Sequence, residues 1–198
     1  MISEFVDLFV PVSLEVVSCI ELHLKHLKVN ELPQVLELDR LCFGGLWSRD
    51  GYLREMESPN STLLVVPLPY GGDRLMGLGC LWSIVAEAHI TLMAVHPEFQ
   101  GQGLGQLILW GLLKDGQTRG LERATLEVRE SNTAAIALYE KFGFKVAGRR
   151  KGYYQATGED ALIMWRKGLN DPSFAEELAG WENKIGDRLK HNHWHWQS

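Results

Sequence analysis

The chain has 198 residues, 45% of them hydrophobic and 23% charged, which is enough apolar content to bury a core in one domain with short additions. A net charge of -5 and a pI near 5.8 disfavour nonspecific nucleic-acid binding, so no direct nucleic-acid partner is expected, and they suit a basic partner. Asp7 and Glu15 interrupt the apolar start and the first basic side chain is His23, so neither a secretory signal nor a membrane span fits, and the expected location is the cytoplasm. Cys19, Cys42 and Cys80 are widely spaced, odd in number and without a C-x-x-C pair. They read as small apolar residues and not as a disulfide framework or a thiolate metal site.

Three segments are expected: an N-terminal extension (residues 1–21), an α/β domain (22–169) and a helical C-terminal tail (170–198). Leu22, Leu24 and His26 alternate as in a strand, and Asn30 is a candidate cap for a helix through Leu36 and Phe43. Ser48 can cap a second short helix through Leu53. Strands are expected over Thr62–Val66 and Leu75–Val85, joined by PLPYGGD, whose proline and glycine content signals a turn. Then come a strand over Ile90–Val95, a helix over Gln102–Arg119, a strand over Ala124–Val128 and a helix over Thr133–Lys141 stopped at Gly143. Phe144–Arg149 and Asp160–Arg166 read as strands, giving an α/β order with an antiparallel beginning. In the tail, Phe174, Leu178, Trp181, Ile185 and Leu189 form a helical apolar stripe that should pack on the domain or on a partner. His191, His193 and His195 alternate at a spacing that binds metal weakly at most, since no carboxylate or cysteine joins them, and no metal site is expected.

The densest signal is VHPEFQGQGLGQLIL, Val95 to Leu109, with Gly101, Gly103 and Gly105 between a strand and a helix. Bare backbone there lets N–H groups approach a phosphate at a helix N-terminus. It is neither G-x-G-x-x-G nor a Walker loop, and the glycines alone leave both an anion site and a tight turn open. On the anion reading, a valine at Gly103 would intrude where phosphate oxygens meet N–H groups.

QGQGLG at 100–105 resembles the Q/R-x-x-G-x-G/A loop of the GNAT acetyltransferase superfamily, and LEVRESNTAAIALYEKFGF, Leu126 to Phe144, is similar to the segment that follows it there. With Trp47-Ser48 upstream and RRKGYYQATGEDALIM, Arg149 to Met164, downstream, the chain most resembles the bacterial ribosomal-protein alanine N-acetyltransferases over about residues 26 to 167. The resemblance implies the GNAT fold, a mixed central sheet of about six to seven strands flanked by about four helices, here with a C-terminal helical tail. It implies acetyl-CoA as co-substrate, its pyrophosphate held by Gln100, Gly101, Gln102, Gly103, Leu104, Gly105 and Gln106. The pantetheine arm would be paired like an added strand by Met93, Ala94 and Val95. Asn132 would cap its helix and contact the cofactor, and Trp47, Tyr153 and Tyr154 would line the acceptor pocket.

Amide formation at a thioester needs a neutral amine. An α-amine near pKa 8 is roughly one-tenth neutral at pH 7, whereas deprotonating a lysine near 10.4 costs about 3 kcal/mol more. A carboxylate can take the proton. Glu127 interrupts the apolar pair Leu126 and Val128 and so points to the other sheet face; the resemblance makes it the base, while spacing alone also allows an exposed partner for Arg129. Tyr139 lies two helical turns after Asn132; the resemblance makes it the acid for the leaving thiolate, and packing would fix its rotamer. Arg149, Arg150 and Lys151 read as a solvated charged turn. The implied activity is acetylation of a protein N-terminal α-amine, such as an N-terminal alanine of a ribosomal protein. A GNAT enzyme for a small-molecule amine and a noncatalytic acetyl-CoA sensor are the alternatives, the latter disfavoured by Glu127 and Tyr139 together. The sequence leaves the oligomeric state open.

Overall fold

The structure, a computed structural model, describes residues 20–69 and 73–196. The expectations for Asp7, Glu15, Cys19 and most of the N-terminal extension lie outside the described residues, as does the centre of the PLPYGGD turn. In chain order the elements are β1 (Ile20–Glu21), β2 (Lys25–His26), α1 (Leu32–Phe43), α2 (Arg49–Glu57), β3 (Ser61–Pro67), β4 (Leu75–Ile84) and β5 (Glu87–Val95). They continue with α3 (Leu104–Thr118), β6 (Arg123–Arg129), α4 (Thr133–Lys141), β7 (Lys145–Tyr154), β8 (Glu159–Lys167), α5 (Phe174–His191) and β9 (Trp194–His195). Seven strands form one sheet in the order β2-β3-β4-β5-β6-β8-β7, antiparallel except between β5 and β6. β1 and β9 make a separate parallel pair, with Ile20 opposite Trp194. Among the described residues, no helix is long and apolar enough to cross a membrane.

Most element positions follow the sequence pattern, and the departures have local causes. Asn30 does not cap α1. It lies in a 3-10 turn, Val29–Glu31, whose geometry is fixed by the Glu31 carboxylate accepting from the Lys28 N–H (3.0 Å) and pairing with Lys25 (2.6 Å). Ser48 does cap α2, its hydroxyl accepting from the Gly51 N–H at 3.1 Å. The second strand of the early pair ends at Ile84, and the next begins at Glu87 and not at Ile90. A two-residue turn at Val85 and Ala86 separates them, with Val85 fully out in solvent at φ 57°, a conformation that a β-branched residue rarely adopts. α3 starts at Leu104, because Gly103 at φ 103° cannot be helical and serves as its cap. β7 runs on to Tyr154, past Arg149, through an irregular pairing with β8.

Buried side chains line both faces of the sheet. On one face α1 and α2 bring Val35, Leu38 and Tyr52 against Leu63, Val65, Leu78 and Leu92. On the other, α3 and α4 join Leu64, Val66, Leu126 and Phe144, and the stripe of α5 (Phe174, Leu178, Ile185, Leu189) is buried in that same cluster. The tail is therefore continuous with the core of the domain. α3 lies directly on the backbone of β4: a Cβ at Gly77 or at Gly79 would stand 2.5 Å from Ile108.

One irregularity in the sheet shapes the site. The register of β4 against β5 shifts between Cys80 and Leu81, leaving Thr91 without a partner on β4. The parallel pairing of β5 with β6 runs only from Glu87–Arg123 to Ile90–Leu126. Beyond it β5 stays with β4 to Val95 while β6 stays with β8 to Arg129, so a wedge opens between Thr91–Val95 and Glu127–Arg129.

The close seating of α3 makes a paired stability test. Gly79→Ala should overpack the α3 contact and destabilise by about 1–3 kcal/mol, lowering Tm by roughly 2–4 °C per kcal/mol. Gly180→Ala, whose methyl group would meet open space inside α5, should stabilise by about 0.5–1 kcal/mol. Thermal unfolding of the two variants beside the wild type checks both signs.

Candidate active site

At the head of α3, Gly101 and Gly103 adopt φ of 77° and 103°, which turns successive N–H groups to one side. Among the described residues nothing accepts a hydrogen bond from the N–H groups of Gly103, Leu104 or Gly105. The carbonyl side is engaged instead: Arg188 donates to the Gly101 carbonyl at 2.7 Å, and Asn192 reaches the Gln102 carbonyl at 3.5 Å. Free donors at a helix N-terminus, backed by the helix dipole, make an anion cradle, and this loop fits a pyrophosphate. At Gly103 the structure adds a second constraint to the one expected from the sequence. A Cβ there would press on Leu189 (3.3 Å) and Arg188 (3.4 Å), so a valine would also disturb α5.

The other loop side chains divide in role. Gln100 turns back to the Val95 carbonyl (3.1 Å), Gln102 accepts from the Trp194 indole (2.8 Å), Leu104 is core, and Gly105 allows close approach of Leu138 on α4. Gln106 faces a groove beside α5. Met93, Ala94 and Val95 lie on the stretch of β5 that has left β6, the edge of the wedge. Asn132 caps α4, its side-chain carbonyl accepting from the Ala135 N–H at 3.1 Å.

Glu127 sits on β6 where the wedge begins. Its carboxylate accepts from His89 Nε2 at 2.9 Å and pairs with Arg150 at 3.1 Å. The bond from His89 leads in holding the Glu127 carboxyl below the usual carboxylate range against partial burial, and Arg150 adds to it. Arg129, the partner that spacing suggested, pairs with Glu159 instead at 3.2 Å. Arg150 belongs to the run that read as solvated; the extension of β7 beyond Arg149 carries it to Glu127.

Aromatic side chains continue outward from this centre on both sides. On one, His89 meets Trp82 edge to face at 6.4 Å between ring centroids, and Trp82 stacks on Trp47 at 6.2 Å. Trp47 is fixed from below by Asp39, a fully buried carboxylate that accepts from the Leu46 N–H (2.6 Å), the Trp47 N–H (2.9 Å) and the Tyr52 hydroxyl (2.9 Å). On the other side Arg150 lies over the Tyr153 ring, and Tyr153 meets Tyr154 edge to face at 5.2 Å. Tyr154 stacks under Arg129 with the guanidinium carbon 3.9 Å from the ring centroid. Tyr139 is buried against Phe144. Burial first, and the neighbouring Tyr154 second, push its hydroxyl well above the ordinary tyrosine range, so it stays protonated.

His89, Trp82, Asp39 and Arg150 carry no motif and were not singled out as site residues. The signal that existed for His89 was alternation: Glu87, His89 and Thr91 share the less buried face of β5. Burial disfavours the thiolate form of both described cysteines and raises the pKa of each, that of Cys80 to about 11.

Comparison with known proteins identifies the family and the fold. The profile of the acetyltransferase (GNAT) family matches residues 32–144. A ribosomal protein bS18-alanine N-acetyltransferase of Salmonella typhimurium is 35% identical over 140 residues, 70% of this chain and 92% of that protein. The crystal structure of the ribosomal-protein-S18-alanine N-acetyltransferase from Escherichia coli superposes with a TM-score of 0.65 at 30% identity, covering 74% of this chain and 93% of that one. Ard1 from Thermoplasma volcanium, at 21% identity and a TM-score of 0.67, shares the fold.

The lowered Glu127 pKa has a testable sign. A carboxyl whose folded pKa lies below its unfolded value stabilises the fold above the unfolded pKa of about 4.3, and this is lost as pH falls through the folded pKa. Carbon-13 NMR titration of Glu127 should show an inflection below that reference, and His89→Ala should move it up. An unmoved inflection would show that His89 does not set it.

Proposed function

The chain belongs to the acetyltransferase (GNAT) family, and from that premise we propose that it moves the acetyl group of acetyl-CoA to the α-amine of a protein N-terminus, an N-terminal alanine of a ribosomal protein as in the relatives' names. The observation that carries the reading is the Glu127 carboxylate at the mouth of the wedge, held by His89 and Arg150, from which Trp82 and Trp47 continue on one side and Tyr153 and Tyr154 on the other. The free N–H groups of Gly103 to Gly105 stand at the far end of β5.

In this reading the loop from Gln100 to Gln106, with Asn132 on α4, holds the pyrophosphate, and the freed edge of β5 at Met93, Ala94 and Val95 holds the pantetheine arm. The acceptor enters between the two aromatic walls and displaces Arg150 from Glu127. Arg150 is half exposed, and an ion pair of that kind is held by about 0–1 kcal/mol. The neutral α-amine attacks the thioester carbonyl, Glu127 accepts the proton that the nitrogen loses, and the C–S bond breaks as the Tyr139 hydroxyl donates to the leaving sulfur. The proton on Glu127 returns through solvent to Tyr139. The products are an N-acetyl amide and a free thiol, so one N–H proton has moved from amine to sulfur. Because Glu127 stays ionised at neutral pH, the acid limb of the rate profile reports the amine, with pKa about 8.

Two measurements test this. Mass spectrometry of competing acceptors should show an alanine-led peptide with a free α-amine acetylated ahead of the same peptide blocked at its N-terminus but carrying an internal lysine. Preferential acetylation of the lysine or of spermidine would reassign the acceptor. Glu127→Gln should lower turnover by about 10²–10⁴ with CoA binding unchanged, and the loss should shrink above the amine's pKa of about 8. Tyr139→Phe should keep its defect across that range. Wild-type rates in both variants, with chemistry rate-limiting, would remove both roles.

A further inference from the structure

α5 lies beyond the family match, yet it builds a groove beside the phosphate loop. The groove has a volume of about 340 Å³ and is lined by Gln106 of α3, Lys141 and Phe142 of α4's end, and Trp181, Lys184, Ile185 and Arg188 of α5. That is room for a small ligand group. Its floor is apolar and aromatic, with Phe142 and Trp181 at 4.7 Å between ring centroids. Its rim holds three cations in a chain whose net charge is -5. None of the ion pairs among the described residues involves Lys141 or Lys184. Lys184 and Arg188 stand at i and i+4, where like charges repel, so this face of α5 is less stable alone than with an anion between them. Arg188 joins groove to loop: one guanidinium nitrogen donates to the Gly101 carbonyl at 2.7 Å, which leaves other donors of the fork free.

We propose that this groove receives the 3′-phosphoadenosine end of acetyl-CoA, with Lys141, Lys184 and Arg188 meeting the 3′-phosphate and Phe142 and Trp181 flooring the adenine. The proposal rests on the reading of the Gln100–Gln106 loop as the pyrophosphate site. In CoA the phosphorylated ribose follows directly on that pyrophosphate, and Gln106, in the first turn of α3, lines the groove. A phosphate monoester carries about -1.5 to -2 charges at pH 7, which matches three cations better than a neutral or singly charged group would. The appended helix thus supplies one wall of the co-substrate site.

Calorimetric titration of the full chain with CoA and with 3′-dephospho-CoA tests the assignment. The wild type should bind CoA at least about tenfold more tightly than 3′-dephospho-CoA, the scale of a charge-assisted contact. In the Lys141→Ala/Lys184→Ala double variant, both positions being exposed and helical, that preference should shrink to about threefold or less, with affinity for 3′-dephospho-CoA unchanged. Equal wild-type affinity for the two ligands, full preference in the double variant, or equal loss of both ligands overturns the groove assignment while the loop reading stands. Failure of the wild type to bind either ligand overturns the loop reading and this assignment with it.

Discussion

Everything at the site depends on two parallel strands that pair over four residues and then part. Strands normally satisfy their N–H and C=O groups with a neighbour, and edges left open invite a partner. Here the extra residue at Thr91 turns β5 away with β4, while β6 follows β8, so one flank of Thr91–Val95 faces a gap inside the sheet. That gap leaves the backbone groups on this flank of β5 without a strand neighbour. The loop after β5 carries the unpaired N–H groups to one end, and Glu127 stands on β6 just past the last paired residue, Leu126.

The layer beside the gap is anchored by carboxylates. The α1 and α2 layer is tied down by Asp39, whose three donors come from the loop and helix that present Trp47. A buried carboxylate with that many partners fixes a loop strongly, since losing any one would leave charge unsatisfied in the core. A second carboxylate does similar work on the same wall: Glu55 accepts from the Trp82 indole and the Ser61 hydroxyl at 2.6 and 2.7 Å. Trp47 and Trp82, which continue outward from His89, are thereby positioned by buried or half-buried acids.

What the sequence disclosed and what it hid differ in range. Ser48, Asn132 and the glycines at 101 and 103 act on backbone a few residues away, so their spacing reveals them. Glu127 showed through alternation, because a polar residue between two core residues must face elsewhere. His89, Arg150 and Asp39 act across the fold on partners 7 to 38 positions away, or on another strand, and no local pattern encodes that. The turn at Val85 and Ala86 was hidden for the opposite reason: it lacks the glycine or asparagine that marks such turns, so the first strand reads on to Val85 and the next reads as starting only at Ile90. Asn30 shows the reverse error, a good capping residue displaced by a stronger ionic contact at Glu31.

The parallel pairing of β1 with β9 joins segments from far apart in the chain, and with α5 it lies over the loop before α3. During synthesis the sheet and its four inner helices can assemble while residues past Ser173 are still being added, but the loop then lacks Arg188, Asn192 and Trp194 as its supports. Such long-range closure is slow compared with local helix formation. The sheet and Glu127 are thus specified by residues that precede α5, whereas the loop before α3 takes its bracing from the last stretch of the described chain.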